Sequence, residues 1–194
     1  MEVEIREEPL TDLGEYARIP IAFQVRSVLE VAVRDRGLGG FVLSERTLET
    51  PFIKDYDALP GEGPSTWARR FDVSNWGMIA ARSRGRQVGG AVVAFRSQGV
   101  HMLEGREDLA VLWDIRVSPD ARGHGVGSTL FRAAERWTSA RGGRLLKVET
   151  QSVNVPACRF YARQGCVLGA IHRFAYPEFP EEVQMLWYKE LPQA

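Results

Sequence analysis

The sequence predicts an α/β fold: a mixed sheet with antiparallel N-terminal strands and one parallel crossover built around a glycine-rich turn. Three observations carry this. Two apolar runs, residues 76–81 and 88–95, flank a polar turn that contains Gly85, the pattern of an antiparallel hairpin. A third apolar run, residues 111–117, leads into Arg122-Gly123-His124-Gly125-Val126-Gly127 and then into an amphipathic stretch. A fourth, residues 145–150, follows that stretch at the spacing of two parallel strands joined by a helix.

The chain has 194 residues, enough to bury a core without metal or disulfide staples, and is expected to form one domain over 1–194. Apolar residues make up 44% and charged residues 26%, ordinary globular composition that argues against disorder. The 25 basic and 25 acidic residues cancel, so overall charge draws the chain to neither nucleic acid nor an anionic membrane. The composition points to a small-molecule partner. Cys158 and Cys166 form no C-x-x-C pair and lie near no histidine cluster, so no metal is expected. The acidic N-terminus lacks the basic start and apolar core of a signal peptide, and no apolar run approaches the roughly 18 residues of a membrane helix. A cytoplasmic protein is the expectation.

Taken in order, Val3 and Ile5 alternate with charged residues, the period of a half-buried strand. From Pro20, the spacing of Ile21, Val25, Val28, Leu29 and Ala32 predicts a helix ending near Gly37. Phe41-Val42-Leu43 suits the start of a strand, whereas residues 44–75, interrupted by Pro51 and Pro64, read as an insertion that carries substrate contacts. The hairpin and the strand over 110–117 follow. Beyond the turn, Val126, Leu130, Ala133, Ala134 and Trp137 recur at helical spacing until Gly142-Gly143. After the next strand, Asn154 is a good N-cap, Pro156 fits a first turn, and Gly165 closes a short helix. Strands over 166–171 and 182–188 complete the chain as a hairpin edge. His124 is expected to face solvent, and Trp113 and Trp187 to be core or edge aromatics.

A strand that feeds a glycine turn opening a helix presents unpaired N–H groups and a positive dipole end, a place for phosphate. The dinucleotide fingerprint needs a glycine where Ser128 stands, and the NTPase phosphate loop needs a lysine that Gly127-Ser128-Thr129 lacks. What remains, R-x-x-G-x-G after a strand, resembles the acetyl-coenzyme A signature of the GCN5-related N-acetyltransferases, the GNAT family. Residues 154–165 resemble that family's later motif, N-x-x-A-x-x-x-Y-x-x-x-G, and the likeness spans about Leu112 to Tyr188. Within the family, Asp114-Ile115, Val148-Glu149-Thr150-Gln151, Asn154, Gly169 and Tyr176 are similar to the streptothricin acetyltransferase group. Trp113, Cys166 and His172 depart from it, two of them where that group tends to carry acids.

The resemblance implies an N-acetyltransferase that moves an acetyl group from acetyl-coenzyme A to a primary amine of a small molecule, streptothricin-like or an aminoglycoside. Arg122 and the amides of Gly123, His124, Gly125, Val126, Gly127 and Ser128 would hold the pyrophosphate. The backbone of Ile115, Arg116 and Val117 would pair with the pantetheine arm, and Asn154 and Ala157 belong to the same cofactor set. Tyr161 is the expected general acid. Glu149, at a strand's carboxyl end, and Asp114, on the neighbouring strand, are the candidate bases. A non-catalytic coenzyme A sensor would share the same turn, but the tyrosine at 161 favours the enzyme. Many relatives in the family form dimers, and the sequence leaves the oligomeric state open between a monomer and a homodimer.

Overall fold

The computed structural model describes residues 1–11, 13–59 and 61–192. In chain order its elements are β1 (Glu4–Glu8), the single-turn α1 (Gly14–Ala17), β2 (Phe23–Val33), β3 (Phe41–Lys54), the single-turn α2 (Trp67–Arg70), β4 (Gly77–Ser83), β5 (Arg86–Phe95), β6 (Leu109–Val117), α3 (Val126–Ala140), β7 (Leu145–Gln151), α4 (Val155–Arg163), β8 (Val167–His172) and β9 (Gln184–Glu190). They gather into two compact units, one from Met1–Ala22, Asp55–Val148 and Lys189–Ala194, the other from Phe23–Lys54 and Glu149–Tyr188. No helix among the described residues is long and apolar enough to cross a membrane.

In the first unit the strand order is β1-β4-β5-β6-β7. The first three pairings are antiparallel. The last is parallel, from Leu109 opposite Leu145 to Val111 opposite Lys147. Both faces of β4 and β5 are covered, which is why these segments read as continuous apolar runs rather than alternating ones. On one face Met78, Ala80, Val92 and Ala94 pack with Tyr16, Trp67 and Trp76. On the other lies α3, with Val126, Leu130, Phe131, Ala133, Ala134 and Trp137 buried at helical spacing and Trp137 edge-on to Phe95 at 6.4 Å. The helix stops where Gly142 turns to φ +85° and the Gly143 N–H bonds Thr138 O at 3.0 Å, a left-handed cap open to glycine at little cost.

In the second unit β2 and β3 form an antiparallel ribbon, and β9 lies between β7 and β8. The ribbon is tied to the β7–α4 turn by the Leu29 N–H, which bonds Ser152 O at 2.9 Å, and Ser152 N–H in turn bonds Val183 O at 2.9 Å. Asn154 caps α4 as expected, accepting from Ala157 N–H at 3.2 Å, with a proline in the first turn.

The helix expected after Pro20 is instead β2. Its registered partner, β3, occupies the start of the region that read as an insertion. The ladder breaks between Val25, opposite Phe52, and Ser27, opposite Thr47, so β3 carries extra residues there, and Pro51, which has no N–H to give a ladder, falls within that break. The break destroys strict alternation: Ser27, Val28 and Leu29 are all half-buried in succession. Spacing alone then imitates a helix, and only the partner strand decides the matter.

Gly77 leaves no room for a side chain, since a Cβ would stand 2.3 Å from Trp137 Cε2. Gly77→Ala is therefore expected to destabilise the protein by about 1–3 kcal/mol through overpacking under α3. Urea unfolding with an unchanged midpoint would show that α3 yields at no cost.

Candidate active site

The glycine turn is built as an open backbone corner. Gly123 and Gly125 have φ of +77° and +80°, and a Cβ on either would meet nothing within 4 Å. These two glycines are therefore required by conformation and not by crowding. Gly125 is the N-cap of α3, and the helix has neither a side-chain cap nor an acidic residue in its first turn. A helix of 15 residues thus presents its positive end to an exposed turn without a built-in carboxylate. Arg122 Nε donates to Val117 O at 2.9 Å and an Nη to Pro20 O at 3.1 Å, which orients the guanidinium beside the turn while its charge stays unneutralised by these partners. The His124 ring is exposed, with Nδ1 2.8 Å from Arg122 O.

The strand that leads into this turn changes partners along its length. β6 is registered with β7 only through Val111, whereas its ladder with β5 continues to Val117. Between Leu112 and Asp114 the β5 register slips by one residue, which makes Trp113 a bulge. Ile115, Arg116 and Val117 thus lie on a stretch with β5 along one edge and no registered β7 residue along the other. The Val117 carbonyl already accepts from Arg122, with one lone pair to spare.

Arg116 itself is buried, its side chain 1% exposed, and all five of its N–H donors are used. Nε and one Nη grip the two oxygens of Asp114 at 2.9 and 2.6 Å; the Nη groups also reach Asp57 at 2.7 and 3.2 Å and Ile19 O at 3.1 Å. Tyr16 adds a hydroxyl donor to Asp114 Oδ1. Burial, with the Asp114 carboxylate beside it, pushes the Tyr16 phenol well above its usual range, so it remains a donor. Burial also works against the Arg116 charge, but the bonds to Asp114 and Asp57 outweigh it and raise its pKa. Asp114, expected either as a base or as a buried carboxylate with a partner, has its charge matched by an arginine held against both oxygens.

Within the second unit Glu149 occupies a half-buried position on β7. Tyr176 OH donates to its Oε1 at 2.5 Å and Gln151 Nε2 to the same oxygen at 3.1 Å, while Gln184 Nε2 donates to Oε2 at 2.7 Å. Gln151 Nε2 also lies 3.0 Å from Tyr176 OH. No cation is among these partners. Tyr161, on α4, is 5% exposed and edge-on to Phe160 at 5.1 Å. Asn154 and Ala157 are bonded to each other at the start of the same helix. Cys158 behaves as the small core residue expected: it is 2% exposed, and burial pushes its thiol up.

Sequence reasoning missed the partners that orient these groups. Asp57 was hidden in the unassigned region, and Tyr16 sits on a single turn too short to show a period. Gln184 carried a usable signal, an amide within an otherwise apolar strand.

The sequence profile of the acetyltransferase (GNAT) family matches residues 45–166. A streptothricin acetyltransferase of Escherichia coli is 33% identical over 171 residues, covering 86% of this chain and 84% of the relative. The chain belongs to the GNAT acetyltransferase family. A second streptothricin acetyltransferase, from Streptomyces lavendulae, is 26% identical over 88% of this chain and 85% of its own length. Among solved structures, a nourseothricin acetyltransferase superposes with a TM-score of 0.76 at 24% identity, covering 99% of this chain and all of the other. A candidate streptothricin acetyltransferase of Bacillus anthracis, solved in complex with acetyl coenzyme A, gives 0.74 at 23% identity over 98% of this chain and all of the other. These two structures bear out the mixed-sheet fold.

The protein is thus an acetyl-coenzyme A-dependent N-acetyltransferase. The turn between β6 and α3 fits that cosubstrate. Its two left-handed glycines, the bare helix N-terminus and the oriented Arg122 together suit a pyrophosphate. Gly125→Val puts a β-branched residue at φ +80° and is expected to weaken coenzyme A binding at least tenfold by calorimetry, with the fold retained. Unchanged affinity would remove the turn from the cosubstrate site.

Proposed function

We propose that this acetyltransferase acetylates a primary amine of a streptothricin-type antibiotic in the cytoplasm, the chain 1–194 acting as one domain, with Glu149 as general base and Tyr161 as general acid. The acceptor class is supported by two relatives named for it, each matched over more than four fifths of its own length. The assignment of the base rests on one observation: Glu149 is held by three neutral donors, whereas Asp114 is paired with a buried arginine. An alkyl ammonium must lose a proton before its nitrogen can attack, and a carboxylate without a cationic partner is the better acceptor for it.

Acetyl-coenzyme A supplies the activated acetyl group. The chain's own part is to hold the pyrophosphate at residues 122–128, to offer the free edge of Ile115–Val117 to the extended pantetheine arm, and to complete the cofactor set with Asn154 and Ala157. Tyr161 supplies its hydroxyl proton to the departing thiolate.

The test is release of free thiol from acetyl-coenzyme A by purified enzyme offered streptothricin, an aminoglycoside, spermidine and free amino acids. Saturable release with streptothricin is expected; release with another amine and none with streptothricin would overturn the acceptor. Tyr161→Phe is expected to lower kcat on the order of 100-fold with coenzyme A affinity unchanged. A fully active variant would reduce Tyr161 to a packing ring.

A further inference from the structure

The second unit contains a cavity of about 700 Å³, within the range of small-molecule sites, and no role has yet been given to it. Its walls come from β2, β3 and the segment between β8 and β9: Leu29, Val31, Leu48, Phe52 and Val183 supply apolar surface. Three carboxylates line it, Glu30, Glu181 and Glu182. Arg46 pairs with Glu30 and Lys54 with Glu182, which leaves Glu181 as the lining carboxylate without an ion-pair partner among the described residues. The lining guanidinium of Arg173 leans over the Phe174 ring at 5.7 Å. Arg173 is likewise outside any ion pair among the described residues, so the apolar walls carry one spare carboxylate and one spare guanidinium, and a cationic organic molecule would be held at the Glu181 side.

Tyr176 connects this cavity to the Glu149 network. Of Glu149, Gln151, Tyr176 and Gln184, only Tyr176 is among the cavity's lining residues. Its hydroxyl donates to Glu149 at 2.5 Å and stands 3.0 Å from the Gln151 amide nitrogen, so the oxygen is fixed by partners on both sides. Tyr176 is thus the member of this network that an amine held in the cavity would touch. We propose that the cavity holds the cationic acceptor and that Tyr176 is a catalytic residue, the hydroxyl through which the acceptor's ammonium proton passes to Glu149. This rests on the reading of Glu149 as the base.

The protons balance. One leaves the ammonium for the Tyr176 oxygen as the Tyr176 proton moves to Glu149 Oε1, so the phenol ends neutral and the carboxylic acid releases its proton to solvent. The freed lone pair forms the C–N bond as the C–S bond breaks. Of the two protons left on nitrogen, one stays on the amide and the other is released to solvent as the adduct collapses, while Tyr161 protonates the sulfur and regains a proton from solvent.

The relay moves two protons together, and single-turnover rates in mixtures of H2O and D2O read that number directly. With streptothricin as acceptor, the wild type is expected to give a bowed proton inventory. Tyr176→Phe, which keeps the ring, should cut the rate on the order of 100-fold and give a linear inventory, with the KM for acetyl-coenzyme A unchanged. Leu48→Trp, which fills the cavity, should raise the acceptor's KM at least tenfold and leave that of acetyl-coenzyme A alone. A linear inventory in the wild type, or a Tyr176→Phe enzyme with wild-type rate and inventory, would overturn the relay; an unchanged acceptor KM in Leu48→Trp would overturn the cavity's role. Failure of the base reading looks different: Glu149→Gln would then keep the wild-type pH–rate profile. A wild type inert to streptothricin would overturn the acceptor reading alone, and the same variants are then scored with the amine that the panel identifies.

Discussion

Every donor of the Arg116 guanidinium is used, and its partners come from separate stretches of chain: Ile19 ahead of β2, Asp57 beyond β3, and Asp114 on its own strand. A charge this deeply buried is tolerable only with full pairing, because desolvation costs several kcal/mol per ion. The segment around residues 16–20, the loop at Asp57 and the outgoing half of β6 are therefore placed together or not at all. Arg122, by contrast exposed, bonds Pro20 O beside the glycine turn. Exposing either the Asp114 or the Arg116 charge would isolate the other.

The Glu149 network uses the opposite device. Its donors are two amides and a phenol, which orient the carboxylate without cancelling its charge. A carboxylate has about four acceptor positions, and three are taken, so orientation is bought with room left for one more proton. One carboxylate is neutralised by arginine and the other is steered by neutral groups, although both lie on strands that look alike in sequence.

Much of this architecture could be read before the structure was known, for identifiable reasons. The hairpin of β4 and β5, the β6 strand, the glycine turn and α3 follow one another locally, and each carries its own punctuation in glycine, proline or asparagine. The family motifs lie in that same continuous half. The ribbon was lost because strand pairing is non-local: β2 makes sense only opposite β3, and the break around Pro51 hides the alternation of both. The site was readable to the same extent. Glu149, Asp114 and Tyr161 occur at recognisable places on strands and a helix, and Arg116 stands only two residues from Asp114, but the other partners lie up to 35 residues away for Glu149 and 98, at Tyr16, for Asp114. Spacing rules do not extend that far.

The two cysteines have a consequence for an enzyme that manufactures a thiol at each turnover. Both are buried, and burial also raises the Cys158 pKa, so neither sulfur is open to solvent. Thiol–disulfide exchange requires an accessible thiolate. Oxidised coenzyme A therefore meets two thiols withdrawn from solvent, and burial stands between the enzyme and a mixed disulfide with its own product.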